Sequence, residues 1–143
     1  PEKLIILGDL FHSRYSIDKT LQKKVEDLPE LLKTNIELIL GNHDVGCDIK
    51  NFKIFNIRKT KNLSFSHEPV NSEDSKTLNI CGHYHPKIYL KNNGDRLSFR
   101  CFAMDMKKNT LYLPAFGDLT GGYPCKKSFK KWAILSENEI LEI

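Results

Sequence analysis

The chain has 143 residues, 40% hydrophobic and 28% charged, with a formal net charge of +4 at pH 7. This describes an ordinary soluble globular protein whose residues 1–143 form a single domain large enough for a core. No apolar run approaches the roughly 20 residues needed to cross a bilayer, and the opening is too short for a signal peptide, so no membrane and a cytoplasmic setting are expected.

Lys3 to Leu7 reads as a short buried strand delivering a loop, Gly8-Asp9, at its carboxyl end. The stretch from Ser16 to Lys33 reads as a helix, with Ser16 as cap and Ile17, Leu21, Val25, Leu28 and Leu32 at helical spacing. Pro29 is expected to break or kink it near its end. Ile36 to Leu40 is the next strand, ending in Gly41-Asn42-His43-Asp44. Strand, loop, helix and strand make a βαβ unit, so these two strands should be parallel neighbours.

Beyond it the sequence is rich in strands. Phe52 to Ile57, Leu63 to Ser66 and Leu78 to Cys81 are expected strands; the last two run into His67 and into Gly82-His83. Ile88 to Leu90 and Leu97 to Phe102 flank Asn92-Asn93-Gly94-Asp95, a hairpin signal because Asn and Gly tolerate positive φ. Thr110 to Leu113 precedes a glycine-rich stretch in which Gly121-Gly122 reads as a turn. Lys131 to Leu135 and Glu139 to Ile143 form a closing hairpin. Cys47, Cys81, Cys101 and Cys125 include no C-x-x-C pair, which argues against a zinc ribbon or redox motif; Cys81 and Cys101 are expected as buried thiols. Lysine pairs at 107–108, 126–127 and 130–131 favour anionic partners and fit either a solvated face or a phosphate-tracking surface.

The polar fragments Gly8-Asp9, Gly41-Asn42-His43-Asp44, Ser66-His67-Glu68 and Gly82-His83-Tyr84-His85 follow one another mostly at the ends of apolar runs. Open α/β sheets bind ligands beyond the carboxyl ends of their strands, so one fold brings Asp9, Asn42, His67 and His83 to one edge. Imidazole nitrogen with carboxylate or amide oxygen suits Mn, Fe or Zn. Singly, each residue has a bland reading as a turn former, a cap or a surface residue; jointly, the order is hard to obtain by chance. His12, three residues after Asp9, reads equally as a substrate-phosphate contact or as a polar residue flanking the helix.

This series resembles the calcineurin-like metallophosphoesterase superfamily, whose blocks read D-x-H, G-D, G-N-H-D/E, H and G-H-x-H. Gly8-Asp9-Leu10-Phe11-His12-Ser13, His67-Glu68-Pro69 and the stretch from Leu113 to Gly122 are most similar to its DNA-ligase-associated, DNA-damage-response endonuclease branch. The resemblance implies an α/β fold, a layered sandwich of mixed β-sheets flanked by helices. It also implies that Asp9 bridges two metals, that Asn42, His67 and His83 complete one of them, and that His85 reaches the other. His43 then acts as general acid toward the leaving oxygen, oriented by Asp44, while a metal-activated hydroxide attacks phosphorus. Divalent ions are implied as cofactors, Mn²⁺ first, with Zn²⁺ or Fe²⁺ as alternatives.

The opening D-x-H block has no counterpart in the seven residues before Gly8. Either the chain is a piece of a longer protein cut between the first two blocks or the product starts here; the start at proline without methionine favours an N-terminally truncated domain without the first strand and helix. One metal set is intact and the other incomplete, and the exposed sheet edge invites homo-oligomers. The expected function is a metal-dependent phosphoesterase that hydrolyses phosphodiester bonds of DNA or RNA, with weak activity. Alternatives are a phosphatase or nucleotidase with a small substrate, or a non-catalytic interaction scaffold with a degraded metal site.

Overall fold

The computed structural model describes residues 1–11, 18–46, 49–71, 76–92, 94–118 and 120–143. Strand β1 (Lys3–Ile6) lies parallel to β2 (Asn35–Ile39), with Leu4 opposite Ile36 and Ile6 opposite Leu38. Helices α1 (Lys19–Glu26) and α2 (Leu28–Leu32) make the connection, as a βαβ unit requires. Strand β3 (Lys53–Phe55) adds in parallel to β2 and completes a three-stranded sheet, with β1 on its edge. Ile36, Leu38 and Ile39 on the central strand are buried.

The expected single helix is two short ones that meet at Asp27. Its cap is Asp18, whose Oδ1 accepts the Leu21 amide at 2.7 Å; Ser16 and Ile17 lie outside the described residues. Pro29 sits in the first turn of α2, where its missing N–H costs nothing. Val25 is buried with Phe11, Leu38 and Ile49, and Leu28 packs against them. Leu21, Leu31 and Leu32 stay exposed, so helical spacing overstated the apolar face.

The expected strand over 52–57 splits at Asn56. Strand β3 belongs to the first sheet, whereas β4 (Ile57–Lys59) pairs antiparallel with β5 (Leu63–Ser66) of the second. The second sheet has nine strands. In it β5, β6 (Leu78–Cys81) and β9 (Thr110–Tyr112) run parallel. The hairpin of β7 (Pro86–Asn92) and β8 (Asp95–Asp105) turns through Gly94 at φ 97°. Strand β10 (Tyr123–Pro124) adds in parallel beside β7, and β11 (Lys130–Ser136) with β12 (Glu139–Glu142) forms the closing hairpin on β8. The mixed sheets and few helices are the α/β layering expected.

Cys81 and Cys101 are fully buried, in two small cores with Ala103, Tyr112 and Phe129 and with Ile88 and Ala133. Burial pushes both thiols up to about 12, so neither forms a thiolate near neutral pH.

Glu37 on β2 clamps the sheets together. Its carboxylate is 4% exposed and meets Lys3 Nζ at 2.6 Å and Arg58 Nε, from β4, at 3.3 Å. The hydrogen bond from Lys3 chiefly, then the two cationic charges, hold its carboxyl below the ordinary value despite burial. A depressed carboxyl contributes stability above its unfolded pKa and loses it as pH falls through the folded one. Glu37→Ala is expected to cost about 1–3 kcal/mol at neutral pH, the scale of a lost charged hydrogen-bond pair. Urea unfolding checks this: the gap from wild type should narrow when the pH falls below about 4, and a gap equal at both pH values contradicts it.

Candidate metal centre

Four strands deliver the polar fragments to one rim. Asp9 follows β1, Asn42 follows β2, His67 directly follows β5, and His83 follows β6. The two sheets meet there through close backbone approach. A Cβ on Gly8 would overlap His67 Nδ1 and come within 2.8 Å of Gly41 Cα. A Cβ on Gly41 would fall on Asp9 N and Oδ1, and one on Gly82 would lie 2.9 Å from the Leu7 carbonyl oxygen. Glycine is required at these three places because no side chain fits between the strand ends. Gly8 also needs its φ of 84°.

The His67 ring is fixed from below. Its Nδ1 lies 2.7 Å from the Leu7 carbonyl oxygen, so Nδ1 carries the proton and, in the neutral ring, Nε2 presents a lone pair. That Nε2 faces Asn42 Oδ1 at 3.1 Å, His83 Nδ1 at 2.9 Å and Asp9 Oδ2 at 3.4 Å. Lone pairs aimed at one another repel unless a proton or a cation lies between them. A divalent ion satisfies this donor set, and one carboxylate among neutral ligands leaves it a net positive charge with which to attract phosphate. Among the described residues, Asp9, His67 and His83 are the cluster of His, Cys, Asp or Glu whose ligand atoms lie within 4.8 Å of one another.

The supports of these groups come from the loops. Asp9 Oδ1 accepts the His43 amide at 3.0 Å, which leaves Oδ2 turned toward the histidines. Asp44 is fully buried; its Oδ2 accepts the Gly41 amide at 3.0 Å and its Oδ1 the Phe11 amide at 3.3 Å. Those bonds pin the loop that carries Asn42 and His43 to the loop after Asp9. Asn79, also fully buried, donates to Ser64 Oγ and Ser66 Oγ and accepts from the Val70 amide, tying β5 to β6 under His67. Sequence reasoning missed Asn79, whose only sequence signal is a polar residue inside an apolar strand.

Asp9, His83 and His85 all have left-handed backbones, at φ 52°, 54° and 46°. Each such residue costs about 1 kcal/mol or more, and strain of this kind gathers where function demands an orientation. His85 lies apart from the three-residue cluster but lines the same cleft, with Asp9, Asn42, His43 and His83. Burial chiefly lowers its pKa, Asp9 opposes this, and His83, His67 and Lys87 add to the lowering. The ring is thus neutral at neutral pH, the form a metal ligand needs.

His12 lies outside the described residues. Glu68 is exposed, 3.9 Å from His83 Nε2, too far for a hydrogen bond. Tyr84 packs between Tyr112 and Tyr123. Gly121 and Gly122, read from sequence as a turn, also line the cleft, and a Cβ on Gly122 would overlap the His85 carbonyl oxygen.

The fold is similar to that of a solved nuclease, MPE of Pseudomonas putida. The two chains are 29% identical, with a TM-score of 0.78 over 92% of this chain and 66% of that one. This chain thus spans just under two thirds of that nuclease's length. A comparison with curated proteins gives no match. The family profile of calcineurin-like phosphoesterases matches residues 1–136, which include the four strand ends and the glycines of the rim. The chain belongs to the calcineurin-like phosphoesterase family.

Proposed function

We propose that this chain is a divalent-metal-dependent phosphodiesterase that acts on nucleic acid, within the DNA-damage-response endonuclease branch. The observation that supports this best is the convergence of Asp9 Oδ2, Asn42 Oδ1, His67 Nε2 and His83 Nδ1, with His43 in the same cleft. The 29% identity with a bacterial nuclease adds the substrate class. Asp9, Asn42, His67 and His83 would hold one ion, and Asp9 with His85 would offer a partial set for a second. Mn²⁺ suits this mixture of imidazole, amide and carboxylate, as Zn²⁺ and Fe²⁺ also would. When bound, such ions supply Lewis acidity toward the phosphoryl group and activate the attacking water.

The chain's own residues do the rest. His43 delivers a proton to the departing ester oxygen, which would otherwise leave as an alkoxide. Asp44 positions His43 through the backbone, by pinning the turn in which it sits. Asp9 does the same from the other side, through the His43 amide.

A phosphodiesterase and a small-substrate phosphatase differ in what they hydrolyse. With Mn²⁺, hydrolysis of bis(p-nitrophenyl) phosphate is expected to exceed that of the p-nitrophenyl monoester. A monoester preference would return the site to a phosphatase, and no Mn²⁺-dependent turnover of either would leave the scaffold reading.

A further inference from the structure

Beside His85 the cleft wall is aromatic. Tyr123 lines the cleft, and the residue is 62% exposed. Its amide donates to the His85 carbonyl oxygen at 3.2 Å, so its backbone is tied directly to a candidate metal ligand. One face of its ring stacks on Tyr84, with centroids 5.8 Å apart and planes 27° apart. Tyr84 is itself held, since its hydroxyl donates to the Pro124 carbonyl oxygen at 2.7 Å and its ring packs on Tyr112. A ring backed on one side by Tyr84 in a residue this exposed contributes little to the core.

We infer that Tyr123 is a stacking platform for an unpaired nucleobase next to the scissile phosphate. This rests on the nucleic-acid reading above and adds to it that the substrate is single-stranded at the cleft. A base inside a duplex has both faces covered and cannot lie on an aromatic ring; an unpaired base can, whatever its identity. The platform therefore selects for strand state and tolerates sequence. It also disfavours small phosphate esters that carry no ring.

Binding without turnover tests this. Fluorescence anisotropy in EDTA compares a labelled octathymidylate with an abasic octamer that carries the same phosphates. Wild type is expected to prefer the octathymidylate by roughly five- to a hundredfold, the range for loss of one aromatic platform. Tyr123→Ala should bind both alike, and Tyr123→Phe should keep the preference. Wild type that binds neither oligomer, or both equally, overturns the inference, as does Tyr123→Ala that still discriminates. Failure of the hydrolase reading would appear elsewhere, as missing Mn²⁺-dependent turnover of bis(p-nitrophenyl) phosphate, which involves no base.

Discussion

His43→Ala is expected to slow cleavage of a DNA phosphodiester by about a hundred- to ten-thousand-fold, the usual contribution of a general acid. The same change should slow hydrolysis of bis(p-nitrophenyl) phosphate much less, because nitrophenolate departs without a proton. Mn²⁺ affinity should stay nearly constant, since His43 reaches Asp9 through its backbone amide, which alanine keeps. Rates on both substrates, with calorimetric Mn²⁺ titration of the variant, separate the possibilities. Equal losses on the two substrates together with weakened metal binding would move His43 into the metal shell.

Gly41→Ala should be as damaging to the metal centre as loss of a ligand, although Gly41 offers no ligand atom. The added methyl would occupy the position of Asp9 N and Oδ1. Backbone cannot swing aside as a long side chain can, so the Asp9 loop must move away from His67. Overpacking of this kind costs about 1–3 kcal/mol, and the displaced carboxylate no longer faces His67 Nε2. Thermal unfolding with and without Mn²⁺ reads both effects: a lower midpoint, and loss of the upward shift that a bound ion gives. Gly121→Ala is the control, because its Cβ would meet open space. If Gly41→Ala keeps its Mn²⁺-dependent shift, the close approach is not what holds Asp9.

The residues that made this site visible in the sequence mostly stand where an apolar run stops. The runs ending at Asp9, Asn42, His67 and His83 proved to be strands or their immediate continuations. Parallel pairing of β1 and β2 followed from the intervening helical segment. What the sequence hid is tertiary. The helical pattern from Ile17 to Leu32 concealed a break at Asp27, because periodicity cannot tell an apolar residue that packs, such as Val25, from one left in solvent, such as Leu31. The run over 52–57 concealed a change of sheet, since strand propensity does not name a partner.

Within the site, the ligand types were legible, but their supports were not. The Leu7 carbonyl that fixes the His67 tautomer is a backbone group and carries no sequence signal. Asp44 was legible as a partner of His43, whereas the hydrogen bonds of its carboxylate to the Gly41 and Phe11 amides, which fix the loops, carry no sequence signal. Gly122 and Tyr123 enter the cleft because β10 adds beside β7, a pairing of two residues too short to read from a pattern.

The gathering of Asp9, Asn42, His67 and His83 around one cation is tested most directly by isothermal titration of Mn²⁺ into this chain and into His67→Ala. Wild type should take up one ion tightly, with any second ion much weaker because, among the described residues, Asp9 and His85 are the candidate ligands for it. His67→Ala should lose the tight event. Binding unchanged in the variant, or two ions of equal affinity in the wild type, would contradict that ligand set.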